Sequence, residues 1–182
     1  MNLANLITLA RLISVPIIVW AILADEMEFA FAIFVAAGVS DAIDGFIAKH
    51  FHSESVFGSY LDPLADKALL VSVYVALGYE NYLPMWLVIL VVFRDILIVG
   101  GVLLLFTLSA RNLRVAPLLI SKANTAAQIV LAAVVLGGEA LDMVQPLFVT
   151  ILVWTIAATT VLSGASYIVQ LSRKVPDMES RR

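Results

Sequence analysis

The chain has no cysteine and only two histidines among its 182 residues. A disulfide framework, a thiolate metal site and a thiol nucleophile are therefore excluded, and the redox compartment is unreadable. Charge is scarce too: Asp, Glu, Lys and Arg make up 14% of the chain against 62% hydrophobic residues, with a mean hydropathy of +1.02. A soluble domain is nearer half apolar and about a quarter charged, so this composition belongs to the membrane class. The net charge of −3 is small and unevenly placed, and no nucleic-acid partner is expected. No linker or low-complexity run divides the chain, so a single domain over residues 1–182 is expected.

What is abundant is oil, in windows of roughly twenty residues, enough to cross a bilayer core. Six are read: 5–24, 29–49, 61–79, 84–108, 121–137 and 144–171. The alternation of a barrel strand is missing from all of them. The expected fold is all-α, a polytopic membrane protein with six transmembrane helices. The first window is read as a span and not a cleaved leader, because the apolar stretch begins near Leu3, contains Arg11 and follows no basic segment.

The junctions alternate in sign. Asp25, Glu26 and Glu28 follow the first window, Glu80 the third, and Glu139 and Asp142 the fifth. Lys49 follows the second with His50 and His52; Arg111, Arg114 and Lys122 surround the fourth junction; Arg173, Lys174, Arg181 and Arg182 end the chain. The basic side is expected to be cytoplasmic, with both termini inside. No internal repeat of the kind that marks a transporter is visible.

One stretch breaks the pattern: "SDAIDGFIAKHFHSESVFGSYLDPLADK", residues 40–67. Asp41 and Asp44 are three apart and Asp62 and Asp66 four apart, so each pair shares a helix face. The orientation brings all four near the cytoplasmic surface, joined by a loop carrying Lys49, His50, Ser53, Ser55 and Gly58. An aspartate at the bilayer centre costs about 2.5–3.5 kcal/mol, and less toward the interface. Four carboxylates also repel one another unless a cation intervenes. Oxygen-only ligands suit Mg²⁺ or Mn²⁺. Two such ions about 3.5–4 Å apart clamp both oxygens of a phosphoryl displacement. Lys49 adds charge for a phosphate, and Gly45 and Gly58 let a substrate approach the backbone. An interfacial hairpin of solvated acids is the bland alternative. A proton or ion transporter would spread its acids through the membrane depth, whereas Asp95, beside Arg94, is the only other intramembrane acid in the six windows.

Written out, the stretch reads Asp41-x-x-Asp44-Gly45-x-x-Ala48-Lys49, eight residues, Gly58, three residues, Asp62, three residues, Asp66. It resembles the signature of the CDP-alcohol phosphotransferases, in which the position of Lys49 is ordinarily arginine. Lysine keeps the charge and loses the bidentate fork. "ANLITLARLISVP" resembles the family's first helix, so the likeness covers most of the chain.

The resemblance implies six helices with a cytoplasmic site, a homodimer, and a bacterial inner membrane location. It implies CDP-diacylglycerol as donor and CMP as leaving group. It makes Asp41, Asp44, Asp62 and Asp66 ligands of two divalent metal ions, with Asp66 also the base. Gly45, Ala48, Lys49, Ser55 and Gly58 would surround the CDP-lipid. Asn5 and Thr8 match polar positions of the first helix; nucleotide contact and a cap or interfacial anchor are both open.

For the acceptor, "FRDILIVGG" and "LLISKANTAAQ" resemble the family's CMP-forming cardiolipin synthases, which use phosphatidylglycerol. The phosphatidylglycerophosphate synthases, which use glycerol 3-phosphate, carry a further arginine where Val102 stands. Arg94, Arg114 and Lys122 would then bind the acceptor, unless Arg94 simply pairs with Asp95 or a helix neighbour. His50 and His52 read as surface residues, and Trp20, Trp86 and Trp154 as interface anchors or packing. Ser121, Asn124, Thr125 and Gln128 form a polar stripe that either joins helices or contacts substrate.

Overall fold

The computed structural model describes residues 3–51, 56–108 and 119–174, and the side chains of 8–41, 65–100 and 119–169. These residues form six α-helices and no strand: α1 (Leu3–Leu23), α2 (Met27–Phe51), α3 (Val56–Tyr79), α4 (Met85–Leu108), α5 (Leu119–Ala140) and α6 (Pro146–Lys174). Each apolar window coincides with one helix. Most boundaries shift by a few residues, and two of the shifts bear on the site: α2 runs on to Phe51 and α3 already begins at Val56. Lys49 and His50 therefore lie in the last turns of α2 and Gly58 in the first turn of α3, and not in a loop. Hydropathy marks where the oil ends; backbone hydrogen bonding continues past it wherever polar side chains tolerate a helix. His52, Ser53 and Ser55 lie outside the described residues.

The three acidic junctions share one geometry. Asp25, Asn81 and Asp142 adopt left-handed backbone conformations, with φ of 61°, 65° and 51°. Each follows a helix end. Glu26 N donates to Ala21 O at 2.9 Å and Asp25 N to Ile22 O at 3.1 Å. Tyr82 N to Leu77 O at 2.9 Å and Met143 N to Gly138 O at 2.8 Å repeat the wider bond at the other two junctions. These are Schellman closures, and Asp and Asn are the non-glycine residues that best tolerate the conformation. They fold the chain into three tight hairpins, α1–α2, α3–α4 and α5–α6. Pro146 opens α6 at a position where its missing N–H costs nothing.

The hairpins pack as a ring. α1 lies against α2 and α3, α2 against α5, α5 against α6, α6 against α4 and α4 against α3, with α3 meeting α5 across the interior. Ile18, Ile22, Val73, Leu77, Leu131 and Ile156 fill the middle. The outer surface is equally apolar: Trp20, Phe93, Ile96, Trp154 and Ile168 all stand more than half exposed. Among the described residues, Leu119–Ala140 and Pro146–Val169 are by themselves long and apolar enough to cross a bilayer.

Candidate active site

The site begins with a cation. Arg11 on α1 is 3% exposed, and its guanidinium reaches two carboxylates on two other helices. Nη2 lies 2.7 Å from Asp41 Oδ1 on α2, and Nη1 donates to Asp66 Oδ1 on α3. Arg11 Nε is buried with no hydrogen-bond partner among the described residues. All three residues sit about two to three helical turns in from the same end of the bundle, so the register of three helices converges on one depth. Charge explains the convergence. A buried guanidinium without a carboxylate, or two carboxylates without a cation, would be far costlier than the triad.

Asp41 and Asp66 are each about half exposed, at 48% and 46%, and the exposed part borders a cavity of about 290 Å³. Its remaining walls are mostly apolar, with Phe34 and Ala37 from α2, Leu69 and Leu70 from α3 and Ile129 from α5. Ile129 is half exposed. The cavity thus joins a carboxylate end to largely apolar walls.

Lys67 and Asp95 line the same cavity and belong to a second cluster. Asp95 Oδ1 accepts from Arg94 Nη1 at 2.7 Å and lies 3.1 Å from Lys67 Nζ. Arg94 is 3% exposed, and its Nη2 also donates to Ser121 Oγ at 2.5 Å and Ser163 Oγ at 2.8 Å. The simpler expectation for Arg94, pairing with Asp95, is what the structure shows. Arg94 ties α4 to α5 and α6, whereas Lys67 is the cation of this cluster that lines the cavity.

The other expected residues divide between these places. Thr8 is buried on α1, one turn before Arg11, and Asn5 lies in the first turns of the same helix. Asp44, Gly45, Ala48 and Lys49 follow Asp41 along α2, and Gly58 and Asp62 precede Asp66 along α3, with their side chains outside the described residues. Ser55 and Arg114 lie outside them entirely. Lys122 is an exposed residue of α5. Two side chains of the polar stripe on α5 join helices: Ser121 accepts from Arg94, and Asn124 Oδ1 accepts from Thr159 Oγ1 at 2.7 Å and Thr160 Oγ1 at 3.1 Å. The backbone carbonyl of Gln128 takes the Tyr74 hydroxyl at 3.0 Å. Only Thr125 of the stripe reaches the cavity.

Sequence reasoning missed Arg11 and Lys67 as site residues. A signal for Arg11 was present, since a charge inside an apolar window must find a partner and four acids stood at the same end. For Lys67 the signal was its place beside Asp66.

Chemically, two carboxylates from separate helices already converge on one cation, and the donor set is all oxygen. Such a set suits a hard divalent ion in place of, or beside, a guanidinium. The fold and site together define a helical protein with a carboxylate centre at one end of a largely apolar cavity. The chain belongs to the CDP-alcohol phosphatidyltransferase family, whose profile matches residues 1–165.

Its relatives carry two activities in their names. A chloroplastic CDP-diacylglycerol–glycerol-3-phosphate 3-phosphatidyltransferase of Oryza sativa is 39% identical over 92% of this chain and 56% of its own length. The Homo sapiens CMP-forming cardiolipin synthase is 31% identical over 91% of this chain and 60% of its own length. The CDP-diacylglycerol–glycerol-3-phosphate 3-phosphatidyltransferase of Bacillus subtilis is 32% identical, covering 91% of this chain and 93% of that protein. The chain spans little more than half the length of the first two.

Proposed function

We propose that the protein is a membrane-embedded phosphatidyltransferase that moves the phosphatidyl group of CDP-diacylglycerol to phosphatidylglycerol, giving cardiolipin and CMP. The observation that carries this reading is the cavity. It joins Asp41 and Asp66 to apolar walls of Phe34, Ala37, Leu69, Leu70 and Ile129. A site shared by two lipids needs both a charged end and an oily edge open to the bilayer. The apolar exterior supports placement across a membrane. The alternation of acidic and basic junctions supports a cytoplasmic carboxylate end.

Asp41, Asp44, Asp62 and Asp66 would hold two divalent ions, Mg²⁺ or Mn²⁺. When bound, these offset the charge that builds on the diphosphate. Asp66 takes the proton from the terminal hydroxyl of the acceptor. That oxygen forms a bond to the phosphatidyl phosphorus as the bond to the cytidylyl oxygen breaks, and CMP leaves. Arg11, tied to Asp66 Oδ1, fixes the direction of that carboxylate. Lys49, Gly45 and Gly58 flank the nucleotide.

Glycerol 3-phosphate is the competing acceptor, favoured by the names of the Oryza and Bacillus relatives. A doubly charged monoester calls for several fixed cations, preferably arginine forks. Here Arg94 is committed to Asp95, Ser121 and Ser163, and Val102 stands where the glycerol-3-phosphate enzymes carry a further arginine. Purified protein given labelled CDP-diacylglycerol and each acceptor separately decides between them. Cardiolipin is the expected product; phosphatidylglycerophosphate alone would reverse the assignment. Chelation, or Asp44→Asn or Asp62→Asn, is expected to abolish CMP release, and normal turnover in either variant would remove the metal centre from the proposal.

A further inference from the structure

Asp95 carries two cations where one suffices. Arg94, almost fully buried and held by two serine hydroxyls, already neutralises it at 2.7 Å. Lys67 Nζ stands 3.1 Å from the same oxygen, with its side chain 35% exposed along the cavity. Two cations against one carboxylate leave this cluster with a single net positive charge, and the accessible part of that charge is the ammonium. An ammonium has three donors, and Asp95 takes one.

Lys67 also follows Asp66 directly on α3, so the carboxylate and the ammonium occupy neighbouring parts of one cavity wall. That order suits a ligand with a hydroxyl at one end of a glycerol unit and a phosphate at the other. The one ammonium charge at this position suits a phosphodiester, which carries one charge, better than a doubly charged monoester.

We propose that Lys67, held in place by Asp95, binds the phosphate of the acceptor and sets its hydroxyl against Asp66. The assignment rests on the phosphatidyl-transfer reading, and it makes Lys67 a determinant of acceptor choice and not of CDP-lipid binding. Arg94 is the anchor beneath it, which fixes Asp95 from the buried side so that Asp95 can fix Lys67.

Steady-state kinetics of Lys67→Met and Lys67→Arg in detergent micelles, varying each substrate in turn, test this. For Lys67→Met, loss of a charged contact is expected to raise the acceptor KM about tenfold or more, with the CDP-diacylglycerol KM unchanged. Lys67→Arg is expected to recover most of that loss. A purely structural lysine, present only to balance Asp95, behaves differently: the double variant Lys67→Met with Asp95→Asn would then restore the acceptor KM. On this proposal the double variant stays impaired.

Binding of phosphatidylglycerol to the purified protein without metal gives a readout independent of turnover, and Lys67→Met is expected to weaken it. A raised KM for CDP-diacylglycerol, rescue by the double variant, or unchanged phosphatidylglycerol binding overturns the role of Lys67. Wild-type product from glycerol 3-phosphate alone overturns the acceptor reading instead. The role of Lys67 is then judged by the KM for that acceptor.

Discussion

Arg11 joins Asp41 and Asp66, and through them three helices, at the spot where the chemistry is proposed. Its removal leaves two neighbouring carboxylates with one fewer cation and takes away the contact that links them. A displacement of about 1 Å at a reacting group can cost ~10²-fold in rate. Arg11→Ala is therefore expected to lower kcat for CMP release by about that factor, and Arg11→Lys to recover part of it, because the charge returns without the fork. Unchanged kcat in Arg11→Ala would show that Asp66 needs no such support. The four aspartates were legible in the sequence because acids are costly in oil and their spacing repeats a family signature. Which partner each takes was not. Arg11 stands far from Asp41 and Asp66 in sequence, and no local pattern encodes a contact between them.

At the scale of elements, the apolar windows located all six helices, whereas the left-handed closures at Asp25, Asn81 and Asp142 came from the structure. The ends facing the site were misjudged, since Lys49, His50 and Gly58 proved helical. Helix contacts depend on small residues whose partners the sequence does not name. A Cβ added at Gly78 would stand 2.7 Å from Val88 Cγ2, pressing α3 into α4. At Gly100, by contrast, it would meet nothing within 4 Å among the described residues. Overpacking of this kind costs about 1–3 kcal/mol, while alanine gains up to about 1 kcal/mol over glycine in a helix. Gly78→Ala is thus expected to lower the thermal midpoint of the purified protein, and Gly100→Ala to hold or raise it. Equal midpoints would mean that the α3–α4 contact yields without strain.

For the whole molecule, orientation is open to a clean test because the chain has no cysteine. Single cysteines at Glu80→Cys and Ser180→Cys, probed with an impermeant maleimide on intact cells, report opposite sides. Labelling of Glu80→Cys alone is expected; labelling of Ser180→Cys alone would invert the topology and place the carboxylate end outside. The sequence by itself determined the helical class, the six apolar segments, their alternating polarity and the four aspartates, since all of these follow from composition and from spacing along one helix. Only the tertiary structure decided that Arg11 bridges Asp41 and Asp66, that Arg94 is an anchor held by Asp95, Ser121 and Ser163, and that Lys67 borders the cavity. These pairings form between helices far apart in the chain. They depend on the order of helices around the ring, which packing of the apolar faces sets and no local spacing records.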